Sequence, residues 1–427
     1  MKLLRSKLVR NALALYGVQV CRKLLPFVSI PYLARVLGPS AWGRVAFVQA
    51  FSEMLVLIIE FGFTLSATRE IARERDSREA CSGIVAGVLG AQTLLALLAI
   101  AAAAVAYLTV PELRADARLV PAGLVYAVAQ GLAPLWFFQG IERMTVAASL
   151  EVAGKALALI GIFVFIHSPS DDWKVLALQA SAPAISTLLG LVIVFRIVQL
   201  RLPTLALIRA TYKAGWPMFI FRSGISLYSV ANAFTLGLFA SPSQVAYYAS
   251  SEKIAKAVYG LLNPIREALY PRLSHLAAHA EGEMMRLAKL GAAIMGAGGI
   301  VLGLGLFAFA PWIVHTLMGP AFEPAIPVLR ILALLPPIIS VTDAVGVQWL
   351  LPHGHDQAAI RTIFCGGVLN LLLAILLAPR FAHIGMAVAV VTSELVVCLA
   401  MVIVVRRLQA VKDEQRKSLA EAVLTRY

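Results

Sequence analysis

The chain has 427 residues, of which 60% are hydrophobic and only 14% charged; its mean hydropathy is +0.83, yet its formal net charge is +14. Soluble chains carry about 25% charged and 45–50% apolar residues, so a water-soluble enzyme is excluded and an all-α polytopic membrane protein remains. Helical spans need about 20 mostly apolar residues each, so the length holds a dozen of them and leaves no room for a sizeable soluble domain.

Apolar runs separated by Pro, Gly or charge clusters fall at 8–36, 43–66, 82–108, 119–140, 147–167, 174–198, 215–238, 244–268, 287–316, 326–351, 361–379 and 384–405, twelve in all. The first is uncleaved, because Arg22 and Lys23 interrupt it and Ala12-Leu13-Ala14 precedes its core. Asn11, Gln19, Arg22 and Lys23 share one side of it, and Pro26 and Pro31 are expected to kink it. In the second span Gln49, Glu53 and Glu60 align, in the fifth Glu151 and Lys155 are four apart, and in the seventh Arg222, Ser226 and Ser229 align. The eighth carries Tyr248, Glu252, Lys256, Tyr259, Asn263 and Arg266 at helical steps along one face, with Lys253 beside them. Asp343 lies in the tenth span and Glu394 in the twelfth. Residues 408–427 read as an amphipathic cytoplasmic tail at the membrane surface.

Charge placement sets the orientation. Connections that alternate along the chain hold 23 of the 37 Lys and Arg on one side and six on the other. The positive-inside rule therefore puts both termini in the cytoplasm. The remaining eight bases, Arg22, Lys23, Lys155, Arg222, Lys253, Lys256, Arg266 and Arg330, fall within spans. At about 2.5–3.5 kcal/mol each at the bilayer centre, they must snorkel or face protein or a hydrated interior. Glu151/Lys155 and Glu252/Lys256 have the favoured order for intrahelical ion pairs, whereas Arg22 and Arg222 need an anion from elsewhere. Glu60 is a protonated buried acid, a partner of Arg22 or Arg222, or a proton site, and Asp343 is a second candidate for ion coupling or a partner for a base of the other lobe. Cys21, Cys81, Cys365 and Cys398 read as buried small hydrophobes, and neither they nor the histidines have metal-ligand spacing. No nucleotide-binding loop is present, no cofactor is implied, and the basicity needs no nucleic acid.

Several segments resemble one family. Pro26-Phe27-Val28-Ser29-Ile30-Pro31-Tyr32-Leu33-Ala34-Arg35 is one; Glu60-Phe61-Gly62-Phe63 followed by Thr68-Arg69-Glu70-Ile71-Ala72 is another. Trp216-Pro217 leading to Phe221-Arg222-Ser223, Tyr247-Tyr248 with Glu252-Lys253-Ile254, and Asn263-Pro264-Ile265 complete the set. Together they are similar to the polysaccharide-transporter (Wzx-type) flippases of the multidrug/oligosaccharidyl-lipid/polysaccharide exporter superfamily. The resemblance implies two six-helix lobes, here 1–205 and 206–407, and passage of undecaprenyl-diphosphate-linked oligosaccharide from the inner to the outer leaflet of a bacterial inner membrane. Trp136 and Gly154 stand at the same separation as Trp349 and Gly367, a faint trace of the repeat.

On this reading the first, second, seventh and eighth spans wall a central cavity. Arg22, Arg222 and Lys256 contact the diphosphate, with Lys253 nearby, and Gln19, Ser226, Tyr248, Tyr259 and Asn263 face the sugar. Expected partners are the lipid-linked oligosaccharide, membrane lipids, a coupling proton or sodium ion, and other polysaccharide-assembly membrane proteins. One rival is a cation-coupled multidrug exporter of the same superfamily, which would want an acidic or aromatic interior. The other is a membrane-embedded glycan polymerase, which would want a long outer loop.

Overall fold

A computed structural model describes the backbone from Lys2 to Leu424 and the side chains of 28–410 except 221, 224–229 and 278. The described backbone is helical throughout, joined by short turns, as a membrane-crossing chain requires when no water satisfies its amides. In order the helices are α1 (Lys2–Glu60), α2 (Phe63–Glu74), α3 (Arg78–Thr109), α4 (Leu119–Gly131), α5 (Leu135–Gly140), α6 (Met144–Phe165), α7 (Asp172–Ile197) and α8 (Leu205–Ser229). They continue as α9 (Ala231–Gly237), α10 (Pro242–Gly260), α11 (Asn263–His279), α12 (Glu281–Ala308), α13 (Ala310–Leu317), α14 (Ala325–Leu332), α15 (Leu335–Val345) and α16 (Asp356–Leu424).

These helices make twelve spans because two long ones are broken and several short ones are joined. α1 changes direction at Gly38 (φ 69°) and α16 at Ala382 (φ 48°), while a π-helical turn, Gly346–Leu350, extends α15. The kink expected at Pro31 is not a break, since the backbone stays helical there and departs at Gly38. Pro26, Gln19, Arg22, Lys23, Cys21 and the tail from 411 lie outside the described residues. The predicted basic connections shorten too: α2 carries the second span on to Glu74, and α8 begins at Leu205. Eight stretches among the described residues are long and apolar enough to cross a membrane, and the last of these, Asp356–Ala410, holds two spans. The α8–α9 and α10–α11 pairs are not among them, and they carry Arg222, Lys253, Lys256 and Arg266.

By internal contacts the chain divides into one unit of Met1–Tyr247 with His315–Phe322, and another of Tyr248–Val314 with Glu323–Tyr427. The first is packed around Phe63, Ile71, Val88, Trp136, Phe137 and Val194. The second is packed around Leu273, Met284, Trp349, Leu350, Val397 and Met401. Leu97, Leu98, Leu108, Leu188 and Leu304 are exposed, as lipid-facing residues are. Cys81 and Cys398 are buried, but Cys365 is exposed, correcting its expected burial; on a helix bathed in lipid an apolar thiol has no reason to turn inward.

One end of the first unit is fastened by charge. Arg44 donates from Nε and Nη2 to Asp172 Oδ2 at 3.0 and 2.6 Å, and Asp172 is only 1% exposed. Nearby, Arg118 pairs with Asp116 at 3.1 Å and lies over Trp173, while Lys174 pairs with Asp171 at 2.7 Å. Asp171 also accepts from the backbone N–H groups of His167 and Ser168, closing the turn into α7. The Lys174 ammonium, helped by these donors, holds the Asp171 carboxyl well below the usual carboxylate range, and Arg118 does the same for Asp116. A carboxyl lowered in the folded state stabilises it fully above the unfolded value of about 3.9 and loses that stabilisation as pH falls through its folded value. The melting-temperature gap between the native chain and Asp171→Asn in detergent is therefore expected to stay constant down to about pH 5 and to close only below about pH 4. A gap that closed near neutrality would show that Asp171 is not the group responsible.

Candidate functional site

The polar interior of the first unit gathers where α1 ends. Glu60 is its last residue, and the next two, Phe61 (φ 42°) and Gly62 (φ 75°), both take left-handed conformations before α2 begins. A Cβ on Gly62 would stand 2.7 Å from Phe219 N and 2.8 Å from Met218 C, so only glycine lets this joint lie against the backbone of α8. Phe61 stacks on Phe219 at 4.5 Å and meets Tyr212 edge-on at 5.3 Å, and Tyr212 donates to Ala91 O of α3. Held this way, Glu60 Oε2 lies 2.6 Å from Arg222 Nη1, with side-chain exposures of 17% and 34%. That oxygen accepts no aligned hydrogen bond, so the contact is one of charge. The same nitrogen donates to Thr64 Oγ1 at 3.4 Å.

Along α1 from Glu60, Glu53 accepts from Tyr126 Oη of α4 at 2.6 Å, and Gln49 donates to Gln179 of α7. Lys155 and Glu151 of α6 pair at 2.7 Å. The interior thus assembles α1, α2, α4, α6, α7 and α8. Sequence spacing finds Gln49, Glu53, Glu60 and Arg222, but it misses Thr64, Tyr126, Gln179 and the aromatic stack, which no single helix face reveals.

In the second unit Lys256 lies 3.2 Å from Glu252 Oε1, which also accepts from Tyr248 Oη at 3.1 Å. Tyr248 is fully buried, so as it stands it orders Glu252 and has no surface for a sugar. Tyr259 and Asn263 are half-buried, as is Lys253, which has its own contacts. The single face predicted from Tyr248 to Arg266 is interrupted, because the helix stops at Gly260 and α11 restarts at Asn263. Asp343 pairs with Arg266 Nη1 at 3.2 Å, inside this unit, which corrects the idea of a base from the other lobe; the nearer cation wins. Arg330 lies exposed over Phe307. Glu394 is 7% exposed and has no basic partner among the described residues. Ser226 lies outside the described residues, and among those described no group of three His, Cys, Asp or Glu side chains could hold a metal.

The described interior is therefore neutralised rather than openly cationic. Lys155, Arg222, Lys256 and Arg266 each face a carboxylate. A base held in this way can bind an incoming anion only by exchanging partners.

Comparison with known proteins follows the same lines. Two curated relatives each carry the name "Putative O-antigen transporter". The one from Escherichia coli (strain K12) is 30% identical over 404 residues, covering 94% of this chain and 97% of that protein. The one from Shigella dysenteriae is 27% identical over 397 residues, covering 92% and 98%. Among solved structures, the lipid II flippase MurJ in an inward closed conformation matches with a TM-score of 0.72 at 12% identity, over 93% of this chain and 87% of that one. An inward-facing multidrug resistance MATE family transporter of the MOP superfamily matches with a TM-score of 0.65 at 13% identity, over 92% and 99%. At such identities these two show a common fold. Residues 8–277 match the family described as polysaccharide biosynthesis protein, and the chain belongs to that family.

Proposed function

We propose that this protein is a flippase, a transporter and not an enzyme, which moves undecaprenyl-diphosphate-linked oligosaccharide from the inner to the outer leaflet of a bacterial inner membrane for O-antigen assembly. The observation that carries the reading is near-full-length similarity to two relatives that carry the name "Putative O-antigen transporter". The chemistry supports it. A diphosphate and a hydroxyl-rich glycan cannot be desolvated in hydrocarbon, so a protein must give them a polar route. Arg222 brings a forked donor and Lys256 a point charge for the phosphates, joined by Arg22 of the first span and by Lys253. Gln19, Ser226, Tyr259 and Asn263 offer hydrogen bonds to sugar, and Tyr248 would do so only after a rearrangement that uncovers it. Glu60 and Asp343 are the proposed coupling carboxylates for a proton or sodium ion, with lobes at 1–205 and 206–407 and both termini cytoplasmic.

The test is deletion of the gene followed by leaflet-resolved labelling of lipid-linked intermediates. They should accumulate on the cytoplasmic face, and export should return with the intact gene. Normal export, together with new sensitivity to cationic drugs, would sink this reading in favour of multidrug export.

A further inference from the structure

The pair at Arg222 is incomplete. Glu60 approaches Arg222 most closely at Nη1, and that nitrogen also donates to Thr64. Among the described residues neither Nε nor Nη2 donates a hydrogen bond, so the forked edge that best fits phosphate oxygens has no aligned acceptor. The Arg222 side chain is a third exposed. Glu53, seven residues before Glu60 on α1, adds a second negative charge to the same interior. Arg222 is thus geometrically ready for an anion but has its charge cancelled.

We propose that Glu60 is the specificity-determining residue of this site, a built-in competitor that yields Arg222 to a multiply charged diphosphate and withholds it from singly charged phospholipid headgroups. The inference rests on the reading of Arg222 as a headgroup contact.

The physical need comes from the membrane itself. A cation open to the inner leaflet meets anionic phospholipid in large excess, so affinity alone would leave it permanently occupied. Specificity is a difference of affinities and often needs an opposing element. Attraction to Arg222 grows with the charge on the ligand, whereas the cost of displacing Glu60 is the same for every ligand. That fixed cost offsets about one unit of ligand charge. A phosphodiester gains little after meeting it, and a diphosphate keeps a surplus. The fork then gives phosphate oxygens an aligned geometry that Glu60 Oε2 lacks. Phe61 and Gly62, locked left-handed against Phe219 and Met218, keep the competitor within reach and stop it from swinging away.

The test uses the full chain in phosphatidylcholine nanodiscs, titrated separately with undecaprenyl diphosphate and with phosphatidylglycerol and read by native mass spectrometry. The native chain should favour the diphosphate by about ten-fold or more, a 1.4 kcal/mol difference. In Glu60→Gln, phosphatidylglycerol binding should rise about ten-fold and the preference shrink towards parity. Glu60→Asp keeps the charge one methylene further back, should lose part of the preference, and serves in place of Gln if that variant does not accumulate. Arg222→Ala should bind neither lipid above background. An unchanged preference in both Glu60 variants overturns the competitor role. Diphosphate binding by Arg222→Ala equal to that of the native chain overturns the headgroup reading instead.

Discussion

Arg222→Ala is expected to abolish glycan export and to lower stability by about 3 kcal/mol, the low end of the cost of breaking a buried ion pair. The low end applies because Arg222 keeps about a third of its exposure, so solvent screens part of the interaction. Two effects are mixed in that one substitution. Removing the guanidinium leaves Glu60, only 17% exposed, with no counter-charge at 2.6 Å. It also removes a charge-assisted donor to phosphate, expected to weaken headgroup binding by about ten- to a hundred-fold. The double variant Arg222→Ala/Glu60→Gln separates them. With both charges gone, thermal stability should return to within about 1 kcal/mol of the native chain, because no uncompensated charge is buried. Export and diphosphate binding should remain lost. Arg222→Lys, which keeps the charge but not the fork, should fall between. Complementation of a deletion strain, with melting curves of the same proteins in detergent, reads all four. Export restored in the double variant would show that Arg222 only neutralises Glu60.

Much of this arrangement is legible along single helices and little of it across them. Twelve apolar runs of the right length define the spans. Polar steps of three and four find Glu53, Glu60 and Lys256, and the order Glu252 then Lys256 foretells their pair. The failures share a cause. Gly38 and Phe61-Gly62 redirect the chain, but positive φ is a backbone property that periodicity does not encode. The eighth span is drawn as one continuous face because its residue types continue past Gly260, although the helix does not. The Glu60–Arg222 pair is not such a failure: Glu60 is expected as a partner of Arg22 or Arg222, and it lies 2.6 Å from Arg222 across 162 positions. Their meeting depends on how α1 crosses α8.

Charge pairing changes how the interior works. Bases counted on the sequence suggest an open cationic surface, whereas four of the six with described side chains lie against carboxylates. In an apolar surround, an unpaired charge is costly. A resting transporter with four such bases exposed would be less stable and would collect anionic lipid. Pairing solves both difficulties and makes substrate binding an exchange. On the proposed reading, the affinity that matters is then the difference between diphosphate and carboxylate, which is smaller than the gross attraction and suits a cargo that has to be released.

Gly62→Ala is expected to lower stability by about 2–5 kcal/mol and to impair export while every charged residue remains in place. Part of this is conformational. At φ 75° and ψ 7° an alanine pays about 1–2 kcal/mol for the left-handed region. The rest is crowding, since the new methyl would meet Phe219 N at 2.7 Å and Met218 C at 2.8 Å, backbone atoms that cannot rotate aside; overpacking of this kind costs about 1–3 kcal/mol. Gly354→Ala is the matched control. Gly354 has the same φ of 75°, but a Cβ there would meet nothing within 4 Å, so only the conformational cost of about 1–2 kcal/mol applies. Functionally the two should diverge further than they do in stability. Pushing the joint off α8 moves Glu60 and Thr64 away from Arg222 together, so Gly62→Ala should lose the preference for diphosphate over phosphatidylglycerol, whereas Gly354→Ala should keep both preference and export. Equal melting shifts in the two variants would mean that the close approach at Gly62 costs nothing. A retained lipid preference in Gly62→Ala would mean that the left-handed joint does not position Glu60.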